Sequence, residues 1–123
     1  MSKVDLNELS KAIHQDNVDR GFYDDERQIG TLLMLTVSEL AEALEADRKD
    51  RHCTESDGVL KKNGTIDKEL FEKKVKDTFE DEIADAFIRL FDLCGYMNID
   101  IRKHISLKLA YNRTRGYKHG KNY

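Results

Sequence analysis

The chain lacks several features that would assign it to common protein classes. It has no proline and no tryptophan, and its two cysteines, Cys53 and Cys94, stand in no CxxC or Cys/His metal spacing. The absence of that spacing excludes a zinc ribbon or finger, and the two cysteines provide no disulfide framework. No run of about 18 apolar residues is present, and the N-terminal residues contain no apolar segment typical of a secretory signal. We therefore expect a reduced, cytoplasmic protein that does not cross a membrane.

The absence of proline suits long helices, and the apolar residues recur with helical spacing. This spacing predicts four helices, over 3–18, 25–48, 67–97 and 101–115. Asp67 and Asp100 are expected to cap the last two. The polar, glycine-containing segment 49–66 predicts a long flexible loop, and such loops are often functional. With no β-type alternation and no linker, the expectation is an all-α fold of the four-helix-bundle type, in one domain over 1–123.

Charge is distributed unevenly along the chain. The segment 102–123 contains seven lysines and arginines and no acid. Since the net charge of the whole chain is −3, residues 1–101 carry a net charge of −10. Cations near a helix C-terminus are favourable by themselves, and residues 116–123 could be no more than a frayed basic tail. The alternative is that this segment binds an anionic ligand. The acidity of the rest of the chain argues against nucleic acid as that ligand.

Two helical stretches each place a pair of acids three residues apart. Glu39 and Glu42 lie in "SELAEALEADR", and Glu82 and Asp85 lie in "FEDEIADAFIRL". Residues i and i+3 share a helix face, and these pairs lie on or beside the apolar stripes. If the two helices pack antiparallel, four carboxylates meet and cannot all stay ionised without a counter-charge. We interpret them as ligands of Mg²⁺, which prefers oxygen donors, with Mn²⁺ as a possible substitute.

These acids have two other interpretations, a solvated helix face and a di-iron site. Pairs of acids on a helix are frequently a solvated face, and Glu45 and Asp81 are interpreted in that way. A di-iron bundle requires Glu-x-x-His, and none of the four histidines follows an acid at that spacing. A helical interaction or regulatory module without catalysis remains the alternative to a metal-dependent enzyme.

The predicted last helix offers a set of polar groups suited to a phosphate. Lys108, Asn112 and Arg115 follow the spacing i, i+4, i+7 and therefore share one face. Lysine and arginine neutralise phosphate oxygens, and asparagine can bond a phosphate or a sugar hydroxyl. Lys121 in the tail is a further candidate contact. A solvated helix face has the same spacing, so both readings stay open here.

Taken together, the order of these motifs resembles the MazG-like, all-α nucleoside triphosphate pyrophosphohydrolases. The resemblance rests on "SELAEALEADR", "FEDEIADAFIRLFDLCGY" and "KLAYNRTRGYKHGK", and it covers essentially the whole chain. Two departures are visible. Ser38 stands where many members have an additional Glu, and the 49–66 segment makes the gap between the acidic motifs longer than usual.

The resemblance implies a function, a site and an assembly. The expected reaction converts a nucleoside triphosphate to monophosphate and pyrophosphate, as in nucleotide-pool house-cleaning. It implies Mg²⁺ ligands and a phosphate- or sugar-binding helix, and we assign the water-activating role to Glu42, with Glu82 as its catalytic partner. It also implies a homodimer or homotetramer in which helices of two chains complete the bundle. The implied metal ligands are Glu39, Glu42, Glu82 and Asp85, and the implied nucleotide contacts are Lys108, Asn112, Arg115 and Lys121.

Overall fold

The computed structural model describes residues 4–116 and contains five α-helices in that range. They are α1 (Leu6–Asp19), α2 (Ile29–Arg48), α3 (Lys68–Lys74), α4 (Phe79–Tyr96) and α5 (Ile101–Arg113). Over the same residues the only β-type pairing is one isolated bridge, Leu60 with Ile66. The predicted all-α class is confirmed. Between residues 4 and 116, no helix combines the length and the apolar composition needed to cross a bilayer.

Aspartates at the helix starts explain where three of the helices begin. The Asp5 carboxylate accepts hydrogen bonds from the backbone N–H groups of Asn7 and Glu8 at 2.8 and 3.2 Å. Asp67 caps α3 and Asp100 caps α5 in the same way, each at 3.1 Å. These side chains satisfy N–H groups that have no partner within the helix. The two caps predicted from the sequence are therefore present.

The prediction of one helix over 67–97 is wrong, because this segment forms two helices, α3 and α4. Asp77 between them has a φ of 64°, in the left-handed region, which ends a right-handed helix. Thr78 precedes the first residue of α4, and its hydroxyl accepts a hydrogen bond from the Asp81 N–H at 3.3 Å, as an N-terminal cap does. Neither glycine nor proline marks this break, and aspartate tolerates the left-handed conformation better than most residues.

The chain divides into two compact units, and the division falls within α4. The first unit comprises Met1–Asp25 and Phe91–Tyr123. In it the buried Asp92 carboxylate accepts from the Tyr23 hydroxyl at 2.6 Å and lies 2.9 Å from His14 Nδ1. Gly95 lies against α1, where a Cβ atom would be 2.6 Å from His14 Cβ. A larger residue at 95 would therefore clash.

The second unit, Glu26–Leu90, contains α2, α3 and the first turns of α4. Its buried apolar side chains are Leu32, Ala43, Ala46, Val59 and Ala86. The 49–66 segment is not helical, and backbone hydrogen bonds from Lys61 to Thr65 and from Asp67 to Val59, both 2.8 Å, order its second half. A single domain over 1–123, and a four-helix bundle completed by oligomerisation, stay predictions.

Candidate metal centre

Three of the four predicted metal ligands meet in the second unit. Glu39 comes from the middle of α2, and Glu82 and Asp85 come from the first two turns of α4. One carboxylate oxygen from each of the three lies within 4.8 Å of the other two. Glu82 is buried, with 7% of its surface exposed, and the other two are half-buried. The acidic groups of two separate helices thus form one cluster.

The helical spacing of the core residues explains why Glu39 points inward. The covered stripe of α2 has successive spacings of four and three residues, and Glu39 occupies its central position. The residues on this stripe are Leu32, Thr36, Glu39, Ala43 and Ala46. On α4, Glu82 is one turn before the buried Ala86 and shares its face. Carboxylates therefore occupy positions at which a helix ordinarily places apolar side chains.

The electrostatics of the cluster follow from this burial. Burial, then the nearby charge of Asp85 and a hydrogen bond with the Glu39 carboxyl group, together raise the pKa of Glu82 to about 7. Burial, followed by the charge of Asp81, also raises the pKa of Asp85. Near neutral pH the three acids therefore carry less than their full charge, since Glu82 is protonated in about half of the molecules at a pH equal to its pKa.

Arg89 is the positive group that lies against this cluster. Its Nε donates to Glu39 Oε1 at 2.9 Å, and its charge lowers the pKa of Asp85 against the effect of burial. One guanidinium balances one of three carboxylates. The cluster thus keeps an excess of negative charge that a bound cation could neutralise.

A second acidic group adjoins the first and shares Glu82 with it. Carboxylate oxygens of Asp77, Asp81 and Glu82 also lie within 4.8 Å of one another. Asp81 is half-buried, so the prediction that it belongs to a solvated face misses its place beside Glu82. The signal in the sequence is the spacing of Asp77 and Asp81, which are four residues apart and both precede Glu82. In the structure the Asp77 N–H donates to Asp81 Oδ2 at 3.0 Å.

Glu42, the fourth predicted ligand, lies outside both groups. Its side chain is exposed on α2, one turn after Glu39. Of the acids between residues 4 and 116, the two groups contain Asp77, Asp81, Glu39, Glu82 and Asp85. The metal-binding and water-activating roles of Glu42 stay predictions.

The predicted phosphate contacts lie in the first unit. Lys108 and Asn112 belong to α5, and Arg115 lies in the turn just after it. Lys108 Nζ is 5.2 Å and Arg115 Cζ is 5.6 Å from the centre of the Tyr111 ring, which is exposed. Two cations therefore lie near one aromatic ring. Lys121 lies outside the described residues.

The donor set of the three-acid cluster fits a hard divalent cation. Two oxygens bound to one Mg²⁺ at about 2.0–2.1 Å can be at most about 4.2 Å apart. Oxygens that already lie within 4.8 Å of one another need only small side-chain movements to reach that distance. Neither of the two acidic groups found in residues 4–116 contains histidine or cysteine, the donors that zinc prefers. Glu39, Glu82 and Asp85 are thus the residues that could hold Mg²⁺ or Mn²⁺.

Comparison with known proteins adds no relative. A scan against models of known families, a search of curated proteins and a search of solved structures each returned no match to this chain. The interpretation of the cluster therefore rests on its residues and their geometry.

The buried carboxyl group of Glu82 predicts a particular dependence of stability on pH. Its pKa is about 7 in the folded chain and 4.5 as the ordinary value. The folded state therefore binds more protons between these values, and stability falls as pH rises from 4.5 to 7. Glu82→Gln stays neutral, so in metal-free buffer we expect its melting temperature to exceed that of the unmodified chain by a few degrees above pH 7.

The measurement is a series of melting curves of Glu82→Gln and of the unmodified chain, recorded with a chelator from pH 4.5 to above pH 7. The gain of Glu82→Gln should shrink toward zero as pH falls to 4.5. Glu45→Gln, at an exposed acid of α2, is the control and should show no such trend. A gain that is the same at every pH would contradict the burial of an ionisable Glu82.

Proposed function

We propose that this chain is a Mg²⁺-dependent, MazG-like nucleoside triphosphate pyrophosphohydrolase. The observation that supports it is the meeting of Glu39, Glu82 and Asp85 from two helices, with Glu82 buried and its pKa raised. Burying acidic side chains lowers the stability of the fold, and buried acids with a raised pKa are typical of functional sites. Metal-assisted phosphoryl chemistry is a function that fits such a site, because positioning and charge neutralisation account for most of its catalysis.

In this proposal each group has one task. Bound Mg²⁺ would neutralise triphosphate oxygens and lower the pKa of a water molecule. Glu39, Glu82 and Asp85 would hold the ion, while Arg89 fixes the orientation of the Glu39 carboxylate through its Nε hydrogen bond. Glu42 would accept the proton of the attacking water. The water oxygen then bonds to the α-phosphorus, and the bond from that phosphorus to the bridging oxygen of the pyrophosphate breaks.

The substrate contacts are proposed on α5 and in the turn after it. Lys108 and Arg115 would neutralise the departing pyrophosphate, and Asn112 would bond a phosphate or the sugar. The exposed Tyr111 ring near the two cations offers a surface on which a base could stack. Lys121 would add a further positive charge. A reduced cytoplasmic setting is part of the same proposal, and both Cys53 and Cys94 are free thiols.

The direct test is product analysis with a panel of nucleoside and deoxynucleoside triphosphates and Mg²⁺. We expect monophosphate and pyrophosphate, with no activity when the metal is chelated. Glu39→Gln and Glu82→Gln should each reduce kcat/KM by about 100-fold or more, since even residues behind the ligands are worth about 10–100-fold at metal sites. Glu45→Gln on α2 is the matched control and should retain full activity.

Three outcomes would redirect the proposal. Full activity of Glu39→Gln and Glu82→Gln would contradict the metal centre, and full activity of Glu42→Gln would remove only the role given to that residue. Orthophosphate in place of pyrophosphate would show that water attacks another phosphorus.

The assembly is a second part of the proposal. Beside its covered stripe, α2 has a second apolar stripe, spaced four, three and four residues apart, and each side chain is about half exposed: Leu33 46%, Val37 49%, Leu40 50% and Leu44 50%. This spacing is the one through which helices pack side by side. We propose that the stripe packs against a second copy of the chain in a homodimer, or in a homotetramer built from such dimers.

Light scattering on the purified chain tests the assembly. We expect the mass of two or four chains, and the double variant Val37→Glu, Leu40→Glu should yield one chain, because four buried carboxylates at a symmetric interface are strongly unfavourable. Leu60→Glu, at an even more exposed leucine outside the helices, is the control and should leave the mass unchanged. An unmodified chain that is monomeric would contradict this assembly.

The exposed stripe also fits the alternative function, a helical interaction module without catalysis. In that case a different protein would cover α2, and the acidic cluster would have no ligand. Mg²⁺ would then leave the melting temperature unchanged, whereas an ion bound to the folded state raises it.

A further inference from the structure

His52 lies where the chain leaves α2, and its side chain connects two helices of the second unit. The ring Nε2 is 2.9 Å from Asp47 Oδ1 in the last turn of α2, and Nδ1 is 3.1 Å from Glu80 Oε2 in the first turn of α4. The ring also lies beside Phe79, with the ring centres 5.0 Å apart. One imidazole thus contacts a carboxylate with each of its nitrogens.

This geometry requires a protonated ring. A neutral imidazole has one N–H and one lone pair, so it can donate to only one of the two carboxylates. Its second nitrogen would then face an oxygen lone pair at hydrogen-bond distance, which is repulsive. The imidazolium donates from both nitrogens and carries the charge that both acids attract.

The surroundings of His52 favour the same form. The hydrogen bond with Glu80, then that with Asp47, raises the pKa of His52 above 6.5. Asp47 from α2 and Glu80 from α4 are the charged groups that face the ring. The pKa of Glu80 is lowered, chiefly by the Cys53 N–H and then by His52, so Glu80 remains a carboxylate when His52 titrates.

Two hydrogen bonds donated by backbone N–H groups, neither of which uses the His52 ring, tie the neighbours of His52 to α4. The Phe79 N–H donates to the Arg51 carbonyl at 2.8 Å, and the Cys53 N–H donates to Glu80 Oε1 at 2.7 Å. Residues 51–53 are therefore anchored at the start of α4. A proton lost from His52 removes a link between side chains and leaves this anchor in place.

We propose that His52 is a pH-operated latch, whose imidazolium links the last turn of α2 to the first turn of α4 and whose neutral form holds only one of them. The latch does not depend on the proposed enzymatic function. The direction of the pH dependence follows from linkage. Because the folded chain holds the His52 proton more tightly than the unfolded chain, the stabilisation is complete below pH 6.5 and is lost as pH rises through the pKa of His52 in the folded chain.

The first measurement is a ¹⁵N NMR titration of the histidine side chains in the full chain. We expect His52 to be protonated on both ring nitrogens at pH 6.5 and to titrate above that pH. Asp47→Asn keeps a polar group in place and removes one charge, so it should lower the midpoint of His52. A ring that is already neutral at pH 6.5, or a midpoint that Asp47→Asn leaves unchanged, would overturn the latch.

The second measurement follows melting temperature against pH. His52→Gln should melt below the unmodified chain at about pH 5.5, and the deficit should vanish by about pH 9, where the imidazole is neutral. His104→Gln, at an exposed histidine of α5, is the control and should show no comparable trend. A deficit of His52→Gln that is equal at both ends of this range would assign His52 a packing role only and would contradict the proposal.

Discussion

The arrangement of the second unit depends on one constraint, the burial of the Glu82 carboxyl group between α2 and α4. A buried carboxylate without a counter-charge is unfavourable, so the group must keep its proton, pair with a cation or bind a metal. Near pH 7 the chain uses the first solution, because Glu82 hydrogen-bonds with Glu39 and its pKa is about 7. Arg89 supplies the second solution for Glu39. A divalent cation would replace the proton and satisfy all three acids together.

This constraint is also what separates a candidate site from an acidic surface. Exposed acids are common and need no ligand, as the surface pairs of Glu45 with Arg48 and Lys49 illustrate. The cluster differs because its central member, Glu82, is buried. Glu82 lies one turn before the core residue Ala86, on the same face of α4. The ends of the same two helices are linked again through His52. Side chains of α2 and α4 thus meet at two places, through carboxylates at one and through an imidazole at the other.

Much of this structure could be predicted from residue spacing, and the exceptions have physical causes. Apolar periodicity and aspartate caps predict the helices because both act within a few residues along the chain. The break between α3 and α4 cannot be predicted from the sequence pattern, since Asp77 adopts a left-handed conformation and no glycine or proline lies at the break. The sequence pattern alone assigns Asp81 to a solvated face, whereas in the structure Asp77 and Asp81 lie beside Glu82. Glu42 shares its motif with Glu39 but lies about 60° away around the helix, and only the position of α4 decides which of the two enters the cluster.

The most direct measurement of the central claim is the number of protons released when Mg²⁺ or Mn²⁺ binds. Calorimetric titrations in buffers of different ionisation enthalpy yield this number, because a metal ligand must give up its proton to bind. Since the pKa of Glu82 is about 7, we expect release to approach about one proton per chain below neutral pH and to fall toward zero well above it. Binding without any proton release at either pH, or no binding at all, would contradict a metal centre built on Glu82.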